Sequence, residues 1–424
     1  MIQFLLKGIL GDKNRSLLPI IIITIGVALT VLLSGYLKGA MGDIVDQNAR
    51  FDTGHVKVMS KAYAENKDQL PNDLALLGVD TLMQSLRAQI PQMKWVKRIR
   101  FGGLMDAPDA SGETKGQGPA TGMALELFSE NSGEIERLNI VNSMVSGKVP
   151  TKAGEALIGH DFAQKLDLKV GDEITYIGST MNGAMSFENF TVTGTVRFGT
   201  AAMDKGAIII DIGDAQRMMD MENGAGEILG FLNDEVYDDG KANRISNTFN
   251  LKYANSTDEY APVMQPLKAQ NNLAGYLDYV DVFSVLFVGI FVFAMSIVLW
   301  NTGLLGGLRR YQEFGIRLAL GESKGHIYRS LFYEAVLIGI IGSVIGSAIG
   351  VGATYYLQVV GIDIGEYLSN STMMMPSIIR AKVTPSLFYI GFIPGLFAMV
   401  LGTLLSGIGI YKRETATLFK EMEV

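Results

Sequence analysis

The sequence predicts an integral membrane protein with four transmembrane α-helices and a large α+β extracytoplasmic domain inserted between the first and second. Two observations carry this. Four windows contain no Asp, Glu, Lys or Arg: Leu17–Leu37, Val282–Leu308, Ala335–Ile362 and Val383–Tyr411. Each is long enough to cross a bilayer, which takes roughly 20 apolar residues. The interval between residues 38 and 281, by contrast, holds most of the charge and is far longer than a loop of a compact helical bundle. Composition alone, at 48% hydrophobic with a mean hydropathy of +0.24, would not set the chain apart; the segregation of its charge does. A plain soluble enzyme and a compact many-helix carrier are excluded. Solid apolar runs also argue against a transmembrane β-barrel, whose strands alternate.

Residues 1–16 open the chain. Ile2–Leu10 is apolar with Lys7 interrupting, and Gly11-Asp12-Lys13-Asn14 reads as a break, so an N-terminal amphipathic helix on the inner membrane surface is expected. The first span is 17–40, with Pro19 in its first turn, where a missing N–H matters little. It exceeds the apolar core of about 7–15 residues found in cleaved signal peptides. Met41, Ile44, Val45, Asn48 and Ala49 keep helical spacing beyond it, so the helix continues outward as a stalk.

The domain at 41–275 mixes both periods. His55-Val56-Lys57-Val58 alternates as a strand does, and Leu82, Leu86 and Ile90 mark a helix followed by Pro91. Ala107–Gly118, rich in Gly, Asp and Ser, reads as a mobile loop. Phe190, Val192, Val196 and Phe198 share one parity, and Ala207–Asp211 carries three consecutive isoleucines, so both read as strands. Asp214–Met221 and Val236–Phe249 read as helices. Leu267, Ala274, Leu277 and Val280 line one face of a second stalk, which enters the span within 276–308. A loop at 309–330, a span at 331–360, an outer loop at 361–384, a span at 385–411 and a tail at 412–424 follow.

Lys and Arg concentrate on the cytoplasmic side of membrane proteins. Here they cluster at Lys7, Lys13 and Arg15, at Arg309, Arg310, Arg317, Lys324 and Arg329, and at Lys412, Arg413 and Lys420. Both termini and the 309–330 loop are therefore expected in the cytoplasm, with the large domain outside. Gly39–Asp278 carries 33 acidic and 22 basic residues. Such an acidic domain argues against nucleic acid as a partner, since phosphate binding needs a basic face. The chain has no cysteine, which excludes disulfides and thiol chemistry, and its three histidines lie far apart, which argues against a His-based metal site. No Gly-x-x-x-x-Gly-Lys-[Ser/Thr], Gly-x-Ser-x-Gly or His-Glu-x-x-His occurs, so no catalytic, cofactor-binding or metal residue is assigned. Acidic pairs such as Asp172-Glu173 read as solvated surface. The uncharged spans speak against an ion or proton pathway.

Three sets of candidate residues remain. Leu29, Leu32 and Leu33 on the first span, and Phe283, Phe287, Phe291 and Met295 at four-residue spacing on the second, make apolar faces. Such faces serve to line a cargo path or dimer interface, or simply meet lipid. Gly342, Gly346 and Gly350 put bare backbone on one helix face, for packing within one subunit or between two. The third set is Glu313-Phe314-Gly315-Ile316-Arg317-Leu318-Ala319-Leu320-Gly321. Phe314, Leu318 and Gly321 share a face, Glu313 and Arg317 have the spacing of a helical ion pair, and Gly321 suits a helix end. A short amphipathic helix of this kind lies on lipid or docks into a partner's groove.

The stretch Glu313–Ser323 resembles the E-(I/F)-G-I-(R/L)-x-A-L-G-A-S loop of MacB/FtsX-type ABC transporter permeases, with Glu322 where alanine is commoner. Gly154-Glu155-Ala156-Leu157-Ile158-Gly159, followed by Phe162-Ala163, Leu166 and Val170-Gly171-Asp172, resembles the family's outer-domain signature. Thr53–Val58 is similar to the segment after the first span in the lipoprotein-releasing LolC/LolE branch. The order of one span, a large domain and three spans matches over the whole chain.

The resemblance implies a type VII, mechanotransmission transporter of the bacterial inner membrane, with the large domain periplasmic. It implies a second permease subunit, in a homodimer or heterodimer paired through the first and second spans. It also implies cytoplasmic ABC ATPase subunits that hold ATP and Mg, this chain carrying no cofactor, with residues 313–321 as the coupling helix that docks on them. The outer domain would divide into a porter-like part and a sabre-like insert at residues 120–210. Lipoprotein release is the implied function, with cargo entering laterally from the membrane lipids between the first two spans and possible contact with a periplasmic chaperone. The alternatives are MacB-like efflux through a periplasmic adaptor and an FtsX-like signal to a cell-wall hydrolase.

Overall fold

The computed structural model describes residues 13–109, 111–129, 131–309, 311–363 and 378–412. Their contacts separate an outer domain, residues 44–275, from a helical unit built from residues up to 43, residues 276–362 and residues from 379 onward.

The outer domain is α+β. Its strands are β1 (Val56–Ser60), β2 (Leu76–Leu77), β3 (Met93–Pro108), β4 (Thr114–Leu125), β5 (Met144–Gly147) and β6 (Glu155–Gly159). β7 (Glu173–Ser179), β8 (Met185–Val196), β9 (Ala207–Asp211), β10 (Gly224–Ala225), β11 (Glu227–Leu232) and β12 (Pro262–Pro266) follow. The main sheet runs β12-β1-β11-β3-β4-β9-β6-β8-β5, and β7 pairs with both β8 and β3. Six strands (β3, β4, β9, β6, β8, β7) therefore close into a ring. β3 makes this possible through its length: Met93–Arg98 pairs with β11, and further along the same edge Leu104–Asp106 pairs with β7. At the crossover Gly103 carries no side chain, and a Cβ there would sit 2.4 Å from the Tyr176 ring.

Two of the outer domain's apolar cores follow from this layout, and a third gathers Phe51, Leu125, Leu157 and Ile209. Alternate residues of the ring strands, among them Phe101, Tyr176, Ile158, Phe190 and Ile208, form the first with Phe162 and Met218 from flanking helices. The second lies where β1, β11 and the start of β3 meet helices Val79–Gln89 and Asp239–Leu251, through Val58, Trp95, Ile228, Met83, Leu86 and Phe249. Ala207–Asp211 is a buried strand as its isoleucines indicate. The expected loop at 107–118 is instead the tip of the β3–β4 hairpin, with pairing extending to Pro108 and resuming at Thr114. Asp109 Oδ1 accepts from Ser111 N, Ser111 Oγ and Glu113 N at 2.6–3.0 Å, so the Asp/Ser/Gly composition marks a tight turn.

In the helical unit, helix Lys13–Asn48 is already formed at Lys13 and Asn14, inside the expected break, and Pro19 falls well within it. The rest of the expected N-terminal amphipathic helix and the tail at 413–424 lie outside the described residues. Three described helices are long and apolar enough to cross a membrane: Ser16–Thr53, Lys324–Val360 and Leu387–Leu405. The remaining apolar window falls in helix Leu273–Arg309, where the described apolar stretch is the shorter Val285–Asn301.

Candidate functional site

The last turn of the first helix widens to a π-turn, Ala49–Thr53, inside the outer domain. Its exposed carbonyls need partners, because a helix C-terminus leaves four of them unpaired. Phe51 O accepts from Arg98 Nη1 at 3.2 Å and from Arg100 Nη2 at 2.7 Å. Thr53 O accepts from Gln270 Nε2 at 3.3 Å. Cationic donors at this end also suit the helix dipole.

Behind these contacts lies a buried ion network. Arg98 is fully buried and donates to both Glu134 oxygens, at 2.6 and 3.1 Å. Arg137 also donates to Glu134, and its guanidinium lies 4.0 Å over the Phe231 ring. Lys57 Nζ bridges Asp52 at 2.9 Å and Glu227 at 2.8 Å. Arg100 reaches the same two carboxylates at 3.0 and 3.6 Å, and Asn271 donates to Asp52 at 2.5 Å. The segments on either side of the domain, residues 51–53 and 270–271, are thus tied to one another and to β1, β3 and β11. None of these charges stands out in the sequence as a partner of another, and Lys57 shows there only as one residue of an alternating strand. The alternation Val56-Lys57-Val58 and Arg98-Ile99-Arg100-Phe101 is the signal that was available.

His55 sits at the edge of this network. Its Nδ1 accepts from Leu232 N at 3.0 Å, and its ring packs edge-on against Phe231 and Tyr237. Burial pushes its pKa down to about 4, against the opposing pull of Asp234 and Glu235. The folded imidazole therefore stays neutral while the unfolded one protonates near pH 6.5. His55 leaves stability intact above that value and lowers it as pH falls toward 4. At pH 5 the expected loss is about 2 kcal/mol relative to pH 7.5. Thermal melts of the wild type and of His55→Asn, which keeps an acceptor, check this. The variant should show a weaker pH dependence over that window; an equal dependence would clear His55 of the effect.

The 309–323 segment forms helix Tyr311–Ala319. Gly321 adopts φ +89°, a conformation glycine favours. Gly321 N donates to Leu318 O and Glu322 N to Arg317 O, at 3.0 and 3.1 Å, which is a Schellman end. Glu322, the departure from the family pattern, accepts two hydrogen bonds from Arg317 at 2.6 and 2.7 Å, and these hold its carboxyl below the usual range. Ser323 caps the next helix by accepting from His326 N. The side chains of Glu313 and Phe314 lie outside the described residues, so the expected Glu313–Arg317 pair does too. Leu318 and Leu331 both pack on buried Ile327 of their own chain, while Gly315 is buried. The outward apolar edge is Ile316 and Leu320, 57% and 83% exposed, with exposed Ala319 beside them.

Gly342, Gly346 and Gly350 face the first helix. A Cβ on each would lie 2.7–2.8 Å from Ile23, Thr24 O and Val31 respectively. This is packing within one chain, and Gly391 and Gly395 extend it against Val27 and Val31. Leu29, Phe283 and Phe287 are exposed, whereas Leu32, Leu33 and Phe291 are half-buried. Met295 departs from that face: it is buried against Gly26.

Residues 16–247 match the MacB-like periplasmic core domain, and residues 285–415 match the C-terminal domain of FtsX-like permeases. The chain belongs to this MacB/FtsX family of ABC transporter permeases, as a membrane protein whose large domain is the periplasmic core. Among curated relatives, the lipoprotein-releasing system transmembrane protein LolC of Xylella fastidiosa is 28% identical over 216 residues, 49% of this chain and 50% of that one. The pyoverdine export ATP-binding/permease protein PvdT of Pseudomonas syringae is 25% identical over 369 residues, 83% of this chain and 51% of that one. An uncharacterized ABC transporter permease of Methanocaldococcus jannaschii is 20% identical over 428 residues, 98% of both chains. The chain spans about half the length of LolC and PvdT.

Proposed function

We propose that the chain is a four-span permease subunit that turns ATP hydrolysis on a separate ATPase into motion of its periplasmic domain, in the release of lipoproteins from the inner membrane. The observation that carries this reading is the clamp on the first helix. Its final carbonyls are held by Arg98, Arg100 and Gln270, so displacement of the helix would reach the sheet through hydrogen bonds rather than through a slack loop. Moving a two-state domain from 1:99 to 99:1 takes about 5.5 kcal/mol of differential binding, which nucleotide-driven closure of an ATPase pair is suited to supply.

In this reading the 276–308 window is the fourth span, both termini and the 309–330 loop are cytoplasmic, and residues 313–321 dock on the ATPase, with Ile316 and Leu320 as anchors. Exposed Leu29, Phe283 and Phe287 then meet a second permease subunit or cargo acyl chains. The likeness to LolC supports lipoprotein as cargo. The likeness to PvdT, which covers more of this chain, favours a second reading, efflux through a periplasmic adaptor.

The test is ATPase activity of the permease co-purified with its ATPase in nanodiscs. Phe314→Asp and Leu320→Asp should each cut substrate-stimulated turnover at least tenfold, with the outer domain still folded. Full stimulation in both variants would sink the coupling role. A co-purified triacylated lipoprotein supports the first reading; a bound adaptor supports the second.

A further inference from the structure

The outer domain also carries a groove that the transport reading leaves unused. It runs along helix Val79–Gln89 and helix Asp239–Leu251, and its character changes from one end to the other. One end is a hollow of about 500 Å³ lined by Leu76, Leu77, Leu82, Tyr253, Tyr260 and Pro262. Leu77 and Tyr260 are more than half exposed there. The other end is a hollow of about 360 Å³ with Ile90, Ile245 and Phe249 among its walls and Lys241, Arg244 and Lys252 around it.

The walls of the two hollows touch. Gln89 of the second donates to Ser85 of the first at 2.7 Å, and Phe249 of the second packs on Tyr253 of the first, ring centroids 5.2 Å apart. Lys241, Arg244, Thr248 and Lys252 recur at three- and four-residue spacing, so their donors line one helix face. This cationic stripe stands in the acidic stretch Gly39–Asp278, which has 33 acidic and 22 basic residues. Among the described residues Arg244 and Lys252 make no ion pair, although Lys252 Nζ donates to Gln89 Oε1, and Lys241 reaches Asp234 only at 3.9 Å. The protein's own carboxylates leave most of the stripe's charge unmatched.

We infer that this groove binds a single-chain anionic amphiphile, its carboxylate or phosphate head at Arg244 and Lys252 and its acyl chain over Leu82, Tyr253 and Leu77. The 11 residues of helix Val79–Gln89 run about 16 Å, close to the length of an extended dodecanoyl chain. A free fatty acid and a lysophospholipid share this chemistry. Binding here needs neither ATP nor a partner subunit, so it stands or falls apart from the permease reading.

The test uses the full chain in phosphatidylcholine nanodiscs with a diazirine-bearing dodecanoic acid, and the matching dodecanol as its neutral counterpart. Crosslinked peptides are mapped by mass spectrometry. The acid should label peptides from 75–92 and 241–262 at least fivefold more than the alcohol. The double variant Arg244→Glu/Lys252→Glu should lower that labelling at least fivefold and leave labelling of the apolar helices unchanged. Competition by oleate assigns a fatty-acid head, and competition by lysophosphatidylglycerol assigns a phosphate head. Equal labelling by acid and alcohol, indifference to the charge reversal, or competition by neither lipid would overturn the inference.

Discussion

Arg98→Met is expected to destabilise the periplasmic domain by about 3–5 kcal/mol, the range seen when one partner of a buried ion pair is removed. Arg98 has no solvent-exposed surface and gives three hydrogen bonds, two to Glu134 and one to Phe51 O. Methionine fills part of the volume but satisfies none of these acceptors. Glu134 is then left buried with Arg137 alone, and Phe51 O with Arg100 alone. Pulse proteolysis of the full chain across a urea series reads the effect. With a slope of about 2 kcal/mol per molar urea, the midpoint should fall by about 1.5–2.5 M. Adding Glu134→Gln should cost less than the sum of the two single changes, because the charges interact directly. A midpoint shift equivalent to under about 1 kcal/mol would mean that the pair is not an anchor of the domain.

What could be read from the sequence divides along a physical line. Three of the four charge-free windows, the isoleucine strand at Ala207–Asp211 and the helix-ending Gly321 are local signals that the structure bears out. The ring of six strands was not legible. Its closure depends on β3 pairing with β11 at one end and β7 at the other, contacts between residues up to about 140 positions apart that leave no periodic trace. The ion network escaped for a related reason. Lys57, Arg98 and Glu227 look like the polar face of half-exposed strands, and only the helix end and neighbouring strands that cover them make that face an interior. The docking segment shows a smaller shift of the same kind. Leu318 lies on the apolar face that spacing suggests, but the following helix already occupies it, which leaves Ile316 and Leu320 outward.

Gly346→Val is expected to disrupt the helical unit, and a control on the same helix makes the result specific. A Cβ at Gly346 would lie 2.7 Å from Thr24 O and 2.8 Å from Val27 Cβ. Both atoms are fixed by the first helix, so relief requires that helix to move away as a body. It would then lose contacts along a seam that also includes Gly342 on Ile23 and Gly350 on Val31. Overpacking of this kind typically costs about 1–3 kcal/mol, and a β-branched residue against backbone belongs at the upper end. Gly352, also within helix Lys324–Val360, has nothing within 4 Å of a Cβ. Gly352→Ala should therefore be neutral or slightly stabilising, since alanine favours a helix over glycine by about 1 kcal/mol. Thermal melts in detergent should show a lower midpoint for Gly346→Val only, with the monomer itself destabilised. If the glycine face served subunit pairing instead, Gly346→Val would leave the monomer's melting unchanged and reduce only the dimer fraction.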